Sequence, residues 1–188
     1  MELRQESQTS MDRNSLIAGV ALILLVIGVM AYFLANSSRK DAPGVSGNAP
    51  SLFNPQDFNS MVEDLEEQTG SATVFTASLF PEYAVLGIPV EASGRYESLV
   101  WRGEFSESSK GTTDTRRFDL RKVNPDALQT LLDDASRHLD LIDSRSINIA
   151  GADAGYPFPR MIATVSNEYG ESSTVVARLN GKIIQRSQ

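Results

Sequence analysis

Two stretches of the chain, "FNPQDFNSMVEDLEE" (Phe53–Glu67) and "VNPDALQTLLDDASR" (Val123–Arg137), carry the same pattern 70 residues apart. In each, an Asn-Pro pair precedes apolar residues at i, i+3, i+4 and i+7, the spacing of one helix face. Asn is a preferred N-cap residue, and Pro suits the first helical position. Both stretches are therefore predicted to be amphipathic helices, and Gly70 is the expected end of the first.

Strand-like segments follow each predicted helix. The first set is "TVFTASLF", "AVLGIPVEA" and "YESLVWRGEF", and the second is "SRSINIA", "RMIATVSNEYG", "SSTVVARLNG" and "KIIQRS". Gly94, Leu99 and Arg102 match Gly170, Val175 and Arg178 at an offset of 76, so the extra residues are placed in the loop "GADAGYPFP". A helix packed on an antiparallel sheet is a stable two-layer arrangement. The pattern predicts two α+β repeats, residues 52–112 and 113–188, each a helix followed by an antiparallel meander.

The segment "LIAGVALILLVIGVMAYFLA" (Leu16–Ala35) contains twenty residues without a charge. A helix of this length spans roughly 30 Å at about 1.5 Å per residue, which matches the hydrocarbon core of a bilayer. A cleaved signal peptide is the alternative, with Ala35 and Ser37 as small residues near a cleavage site. The apolar run is longer than a usual signal-peptide core of about 7–15 residues. The prediction is an uncleaved transmembrane helix over residues 16–35, after a short tail over residues 1–15.

The predicted linker over residues 36–51 is rich in Ser, Gly, Asn and Pro and has almost no large apolar residue, so it is expected to be a flexible tether. Basic residues flank the apolar segment almost equally, with Arg4 and Arg13 before it and Arg39 and Lys40 after it. The short tail is placed inside and the large domain outside. The expected location is the cell inner membrane, crossed once, with a periplasmic or extracellular C-terminal domain.

Charge and composition exclude several classes of function. Residues 51–188 hold 20 acidic residues and 13 Lys or Arg, and the chain has a net charge of −7. Nucleic acid is therefore an unsuitable partner, because phosphate binding needs a basic face. The chain has no Cys, which excludes a disulfide framework, a thiolate metal site and a Cys nucleophile.

The order of elements, together with "NPDALQTLLDDA…IATVSNEYGESSTVVARLNGKII", resembles the tandem PepSY-like domains and the related fold of β-lactamase-inhibitor proteins. The resemblance covers roughly residues 52–186, and no catalytic signature comes with it. It implies an exported, non-enzymatic binding or inhibitory module.

The search for catalytic chemistry yields one histidine, His138, which is expected to pair with Asp134 on the helix surface one turn earlier. A metal site would need further His or carboxylate ligands. No Gly-x-Ser-x-Gly elbow and no phosphate-binding Gly-rich loop is present. No catalytic residue, cofactor or metal ligand is therefore predicted.

Three features are candidate partner-binding elements: Trp101, the loop residues Tyr156 and Phe158, and the basic pair Arg116 and Arg117. Trp101, the only tryptophan, is expected in the core, with an exposed aromatic anchor as the alternative. "YPFP" (Tyr156–Pro159) is either a rigid turn packed by its own aromatic rings or a recognition loop. "RRFDLRK" (Arg116–Lys122) is either a strand with Phe118 and Leu120 inward or a contact for an acidic partner.

The expected function is a membrane-anchored accessory module that binds a protein partner and supports assembly or regulation of a membrane or envelope complex. Anchoring raises its effective concentration toward membrane partners. The first alternative is a binder of a small molecule or lipid in a groove between the repeats. The second is an envelope hydrolase, which would need converging carboxylates or His138 beside a Ser in a cleft.

Overall fold

The helices and strands are described in a computed structural model over residues 51–90 and 94–187. The fold is α+β, with two α-helices and mostly antiparallel strands. The predicted tail, the predicted transmembrane helix and the predicted linker up to residue 50 lie outside the described residues. Within the described ranges, no helix combines the length and the apolar character that a membrane crossing requires.

Helix α1 (Pro55–Thr69) begins and ends where the sequence pattern predicts. The side-chain oxygen of Asn54 accepts a hydrogen bond from the backbone N–H of Asp57 at 2.9 Å, which satisfies one of the unpaired donors of the first turn. Gly70 adopts a φ of 75° and donates its N–H to the carbonyl of Glu66. The buried face consists of Phe58, Met61, Val62 and Leu65.

Helix α2 (Asp126–Ser136) begins after the predicted Asn-Pro start, because Pro125 occupies the cap position. Asn124 still contributes, since its Oδ1 accepts a hydrogen bond from the N–H of Asp126 at 3.2 Å. The predicted apolar face is buried: Leu128, Leu131, Leu132 and Ala135.

Eight strands form one antiparallel sheet in the order β10-β9-β8-β7-β2-β3-β4-β5. Their bounds are β2 Thr76–Leu79, β3 Ala84–Pro89, β4 Arg95–Trp101, β5 Phe105–Thr112, β7 Ile142–Ala150, β8 Arg160–Asn167, β9 Ser172–Arg178 and β10 Ile183–Ser187. Strands β1 (Thr73–Val74) and β6 (Phe118–Asp119) pair with each other in a separate two-stranded sheet. Each helix is thus followed by four strands that pair in chain order, apart from the short β1 after α1.

The two four-stranded segments meet at the antiparallel pair β2–β7 in the middle of the sheet. Ser78 lies opposite Asn148, and Leu79 lies opposite Ile147. The side-chain amide of Asn148 donates to the hydroxyl oxygen of Ser78 at 3.0 Å. Backbone pairing therefore makes one continuous sheet, and β5 and β10 are its edges.

The core lies between the two helices and one face of the sheet. The sheet contributes alternate residues from its strands, including Leu79, Leu86, Leu99, Ile147, Ile149, Met161, Ala163, Val165 and Val175. Full burial of a Leu, Ile or Met side chain contributes roughly 1.5–3 kcal/mol, so this layer is the main source of stability. The opposite face of the sheet carries no helix, and we call it the open face.

Two segments differ from the sequence-based prediction. "YESLVWRGEF" was expected to be one strand, but the chain turns at Gly103, where φ is 87°, and returns as the edge strand β5. "RRFDLRKV" forms the two-residue strand β6 and a 3-10 turn, Leu120–Lys122, rather than a longer strand. The expected inward positions are correct, because Phe118 and Leu120 are buried.

Candidate functional site

The open face is neutral in a strongly acidic domain. Residues that alternate with the core positions must point to the opposite side of a strand, so the register assigns them to this face. Its centre is formed by small, hydroxyl-bearing and apolar residues: Thr76, Ser78, Val85, Ser98, Ser146, Asn148, Ile162, Thr164, Thr174 and Val176.

No Asp or Glu occupies a position that the described register assigns to the open face of the six inner strands. The charged residues assigned there are Arg160 and Arg178, which lie opposite each other on β8 and β9. Carboxylates concentrate instead on the helices, where α1 alone carries Asp57, Glu63, Asp64, Glu66 and Glu67. The two sides of the domain therefore present opposite electrostatic surfaces to a partner.

Some open-face side chains are buried without belonging to the core. Val100 and Val176 occupy matching positions on β4 and β9, and both are buried but absent from the core cluster. Tyr96 lies against Gly111 of the neighbouring strand, because a Cβ placed at Gly111 would overlap the tyrosine ring. The face is therefore packed by its own neighbouring side chains and is a formed surface before any partner binds.

The loop between β7 and β8 is held in one conformation by Asp153. The Oδ1 atom of Asp153 accepts hydrogen bonds from the backbone N–H groups of Gly155 and Tyr156, each at 2.9 Å. Its Oδ2 accepts a 2.7 Å hydrogen bond from Arg160. Burial acts to raise the pKa of Asp153, but the Arg160 hydrogen bond and the two backbone hydrogen bonds outweigh it and hold the pKa below its usual value.

The predicted loop residues Tyr156 and Phe158 pack against each other and against two arginines. Their ring centroids are 6.0 Å apart in an edge-to-face arrangement. The guanidinium of Arg160 lies 4.3 Å from the Tyr156 ring centroid, and that of Arg178 lies 4.4 Å from the Phe158 ring centroid. The Tyr156 hydroxyl donates to Gln185 at 3.1 Å. Both rings remain half-buried, so the loop is a rigid turn that still offers aromatic surface.

The basic pair Arg116 and Arg117 lies against this same loop. The backbone N–H of Arg116 donates to the carbonyl of Ala152 at 2.7 Å, and a Cβ at Gly151 would overlap the Arg116 carbonyl oxygen. Only glycine at position 151 permits this close approach. The guanidinium of Arg117 lies 5.4 Å from the ring centroid of Phe75.

Two separate sequence-based candidates are thus brought to one end of the sheet. We call this surface the basic aromatic end, and it consists of Arg116, Arg117, Tyr156, Phe158, Arg160 and Arg178. Sequence reasoning missed Arg160 and Arg178. Their signal was present in the alternation of "RMIATV" and "STVVAR", which gives each arginine the parity of the face opposite the apolar core positions.

A smaller version of this arrangement lies in the β2–β3 loop. Phe80 and Tyr83 stack with centroids 4.4 Å apart, and the guanidinium of Arg102 lies 4.7 Å from the Tyr83 ring centroid. Burial raises the pKa of Tyr83, and the positive charge of Arg102 opposes part of that increase. Arg102 matches Arg178 in the sequence comparison, so both loops are covered by arginines at matching positions.

Trp101 is buried and does not present an aromatic anchor to a partner. Its side chain is 4% exposed, and its Nε1–H donates to the carboxylate of Asp64 on α1 at 2.8 Å. The expected core position is correct, and the alternative of an exposed contact is wrong. Trp101 ties α1 to the sheet.

His138 lies beyond the end of α2 and does not pair with Asp134. Asp134 is buried, contrary to the expectation of a solvated face, and its carboxylate binds Arg186 at 2.7 Å and Arg137 at 3.2 Å. An open depression of 430 Å³ is lined by His138, Leu139, Glu171, Ser172 and Ser173.

A histidine and serines therefore share a depression, but the described chain contains no hydrogen bond from His138 to either Ser172 or Ser173. Because Arg137 and Arg186 occupy the Asp134 carboxylate, it does not orient the imidazole for base catalysis. Across residues 51–90 and 94–187, no group of three or more His, Asp or Glu side chains is placed to hold a metal ion.

Comparison with known proteins adds no relative to this description. No family model matches the chain, and neither a curated protein nor a solved structure matches it significantly.

Proposed function

We propose that the chain is a non-enzymatic binding module, anchored in the inner membrane by residues 16–35, that binds a protein partner through its open face and basic aromatic end. The domain stands on the outer side of the membrane on a tether formed by residues 36–51. The observation that carries the proposal is the separation of charge within the domain. The open face of the inner strands holds arginines and no carboxylate, although the domain as a whole is acidic.

The partner that suits this surface is an acidic polypeptide with exposed apolar side chains. Acidic groups on the partner would meet Arg116, Arg117 and Arg178 at the basic aromatic end. Apolar groups would meet the half-buried rings of Tyr156 and Phe158. Aromatic residues and Arg are the types enriched among residues that dominate binding energy at protein interfaces. The rigid loop lowers the entropic cost of ordering them.

The proposed architecture is a tandem repeat, with the halves meeting at β2–β7. Ser78 and Asn148 face each other and are 70 residues apart, the offset that relates the two helices. Ala77 pairs with Ile149, and Leu79 pairs with Ile147. Exchanging each residue for the one 70 positions away converts one pair into the other, as expected for two equivalent halves around a local two-fold axis.

Site-specific photo-crosslinking in intact membranes tests the binding surface. A photoreactive residue at Thr164, on the open face, is expected to give a discrete protein adduct. The same residue at Gln129, on the exposed side of α2, is the matched control and is expected to give none. Adducts from Gln129 and none from Thr164 would refute the assignment of the binding face.

A charge substitution separates the basic aromatic end from the rest of the open face. Arg178→Glu is expected to reduce the Thr164 adduct about tenfold or more, because it reverses a charge beside the Phe158 ring. Arg145→Glu, on the helix side of β7, changes the net charge equally and is expected to leave the adduct unchanged. Equal loss in both variants would assign the effect to net charge alone.

The membrane anchor has its own test. Alkaline phosphatase fused after Gln188 is expected to be active in a bacterial host, because the fusion would be exported with the domain. An inactive fusion would reverse the proposed orientation.

A further inference from the structure

A second surface lies at the other end of β7 from the basic aromatic end. Leu141 and Tyr169 are 66% and 71% exposed, and they flank the position where Ile142 pairs with Asn167. Asn167 joins the two flanks, because its amide donates to the carbonyl of Asp140 and its Oδ1 accepts the N–H of Tyr169. Two large apolar side chains therefore lie exposed on one ordered tip of the sheet.

Backbone strain at Leu141 indicates that this exposure is maintained at a cost. Leu141 has a φ of 54°, in the left-handed region that leucine rarely adopts, and it is the single non-glycine residue with positive φ in the described chain. Strained residues of this kind cluster at binding and catalytic sites. A Gly or Asn at this position would relieve the strain, and a polar residue would suit its exposure, yet the chain carries Leu.

Four exposed carboxylates surround the apolar pair: Asp140, Asp143, Glu168 and Glu171. None of the four belongs to an ion pair within the described residues, and the neighbouring Arg137 is bound to Asp134. The 430 Å³ depression lined by Leu139 and Glu171 adjoins the same tip. An apolar centre with a negative rim complements an apolar group with a positive rim.

We infer that this tip, Leu141 and Tyr169 with their four carboxylates, docks a polypeptide segment that carries a large apolar side chain flanked by Lys or Arg. The apolar side chain would pack on Leu141 and Tyr169, and its basic neighbours would reach the carboxylates. The domain would then bind two partners of opposite charge at opposite ends of the sheet. This surface does not depend on the proposed function of the open face.

The test is an NMR titration of the full chain in detergent micelles with three synthetic peptides. The first probe is Lys-Lys-Leu-Phe-Leu-Lys-Lys, the second replaces each Lys with Glu, and the third replaces the apolar residues with Ser. The first peptide is expected to shift the amide signals around Leu141 and Tyr169. The other two are expected to leave these signals in place.

The variants separate docking from folding. Leu141→Gly combined with Tyr169→Ser is expected to weaken binding of the first peptide at least about tenfold. Because glycine accepts positive φ without strain, Leu141→Gly alone is expected to unfold at the same or a higher urea concentration than the parent chain. Ile184→Ser removes another exposed apolar residue, on the edge strand β10, and is the matched control that is expected to bind normally.

Several results would overturn the inference. Equal shifts with the acidic and basic peptides would remove the role of charge, and unchanged binding by the double variant would remove the role of the apolar pair. Lower stability of Leu141→Gly would assign Leu141 a structural role. Concentration-dependent association that the double variant abolishes, without peptide binding, would assign the tip to a second copy of the chain. A detergent-dependent shift without peptide would assign it to the membrane surface.

Discussion

Asn167→Ala is expected to produce the largest loss of stability of any single polar substitution in the β8–β9 turn. Asn167 is buried, and its side chain makes four hydrogen bonds. Its Nδ2 donates to the Asp140 carbonyl at 3.2 Å and to the Glu171 carboxylate at 2.7 Å. Its Oδ1 accepts the N–H groups of Tyr169 and Glu171, each at 3.1 Å.

The magnitude follows from how many of these bonds water can replace. A hydrogen bond contributes about 0.5–1.5 kcal/mol net, and four independent bonds would give about 2–6 kcal/mol. The N–H groups of Tyr169 and Glu171 belong to exposed residues, so water recovers part of their loss. We therefore expect Asn167→Ala to lower the free energy of unfolding by about 2–3 kcal/mol.

Urea unfolding of a fragment spanning Gly47–Gln188, a compact unit of the chain, is the assay. The buried Trp101 supplies a fluorescence signal, and circular dichroism supplies an independent one. Asn180→Ala is the matched control, because Asn180 is exposed and accepts one hydrogen bond, from Lys182 at 3.1 Å. We expect this control to cost about 0.5 kcal/mol.

A charged replacement at the same position sharpens the test. Asn167→Asp keeps both acceptor bonds but places a carboxylate against that of Glu171. It is expected to be less stable than Asn167→Ala near neutral pH and to recover as acid protonates the pair. Equal costs for Asn167→Ala and Asn180→Ala would refute the view that Asn167 organises the tip.

Trp101→Phe is expected to lower the free energy of unfolding by about 2 kcal/mol, and a double-mutant cycle with Asp64→Ala should give a coupling of about 1–2 kcal/mol; no coupling would contradict the Nε1–carboxylate bond. Gly151→Ala is expected to cost about 2 kcal/mol, because its Cβ would overlap the Arg116 carbonyl, whereas Gly155→Ala should be nearly neutral in the same unfolding assay. The pKa values of Asp119 and Asp153 are lowered in the folded state, chiefly by the Arg121 hydrogen bond at Asp119 and by the Arg160 and backbone hydrogen bonds that outweigh burial at Asp153. Their stabilisation is therefore fully present above the unfolded pKa near 3.8 and is lost as pH falls through the lower folded values, so Asp153→Asn should flatten the acid limb of a stability–pH curve; an unchanged limb would contradict the assignment.

The sequence predicted the elements whose signals are local. Asn54 and Pro55 mark the start of α1, Gly70 marks its end, and apolar spacing identifies the buried face. The edge strand β5 escaped prediction, because "FSESSKGT" has neither apolar alternation nor β-branched residues apart from its final Thr. Its extended conformation depends on pairing with β4, a neighbour that the eye reads as part of the same strand.

The candidate site was predictable only in part, because its geometry is tertiary. Tyr156, Phe158, Arg116 and Arg117 were identified from composition, but no local pattern places the arginines on the loop. The burial of Asp134 was wrongly predicted for a related reason. The carboxylate finds Arg186 on β10, a partner 52 residues away that a helical wheel does not include.

The central pair β2–β7 also sets a condition on how the chain is made. Strand β2 is synthesised about 70 residues before its partner, a delay of roughly 4–14 s at about 5–20 residues per second. During that interval the backbone edge of β2 is open to any extended segment, and the β7 of a neighbouring nascent chain offers the same register. Exchange of partners would yield intertwined dimers, so slower translation initiation, which spaces ribosomes along the message, should increase the yield of monomer.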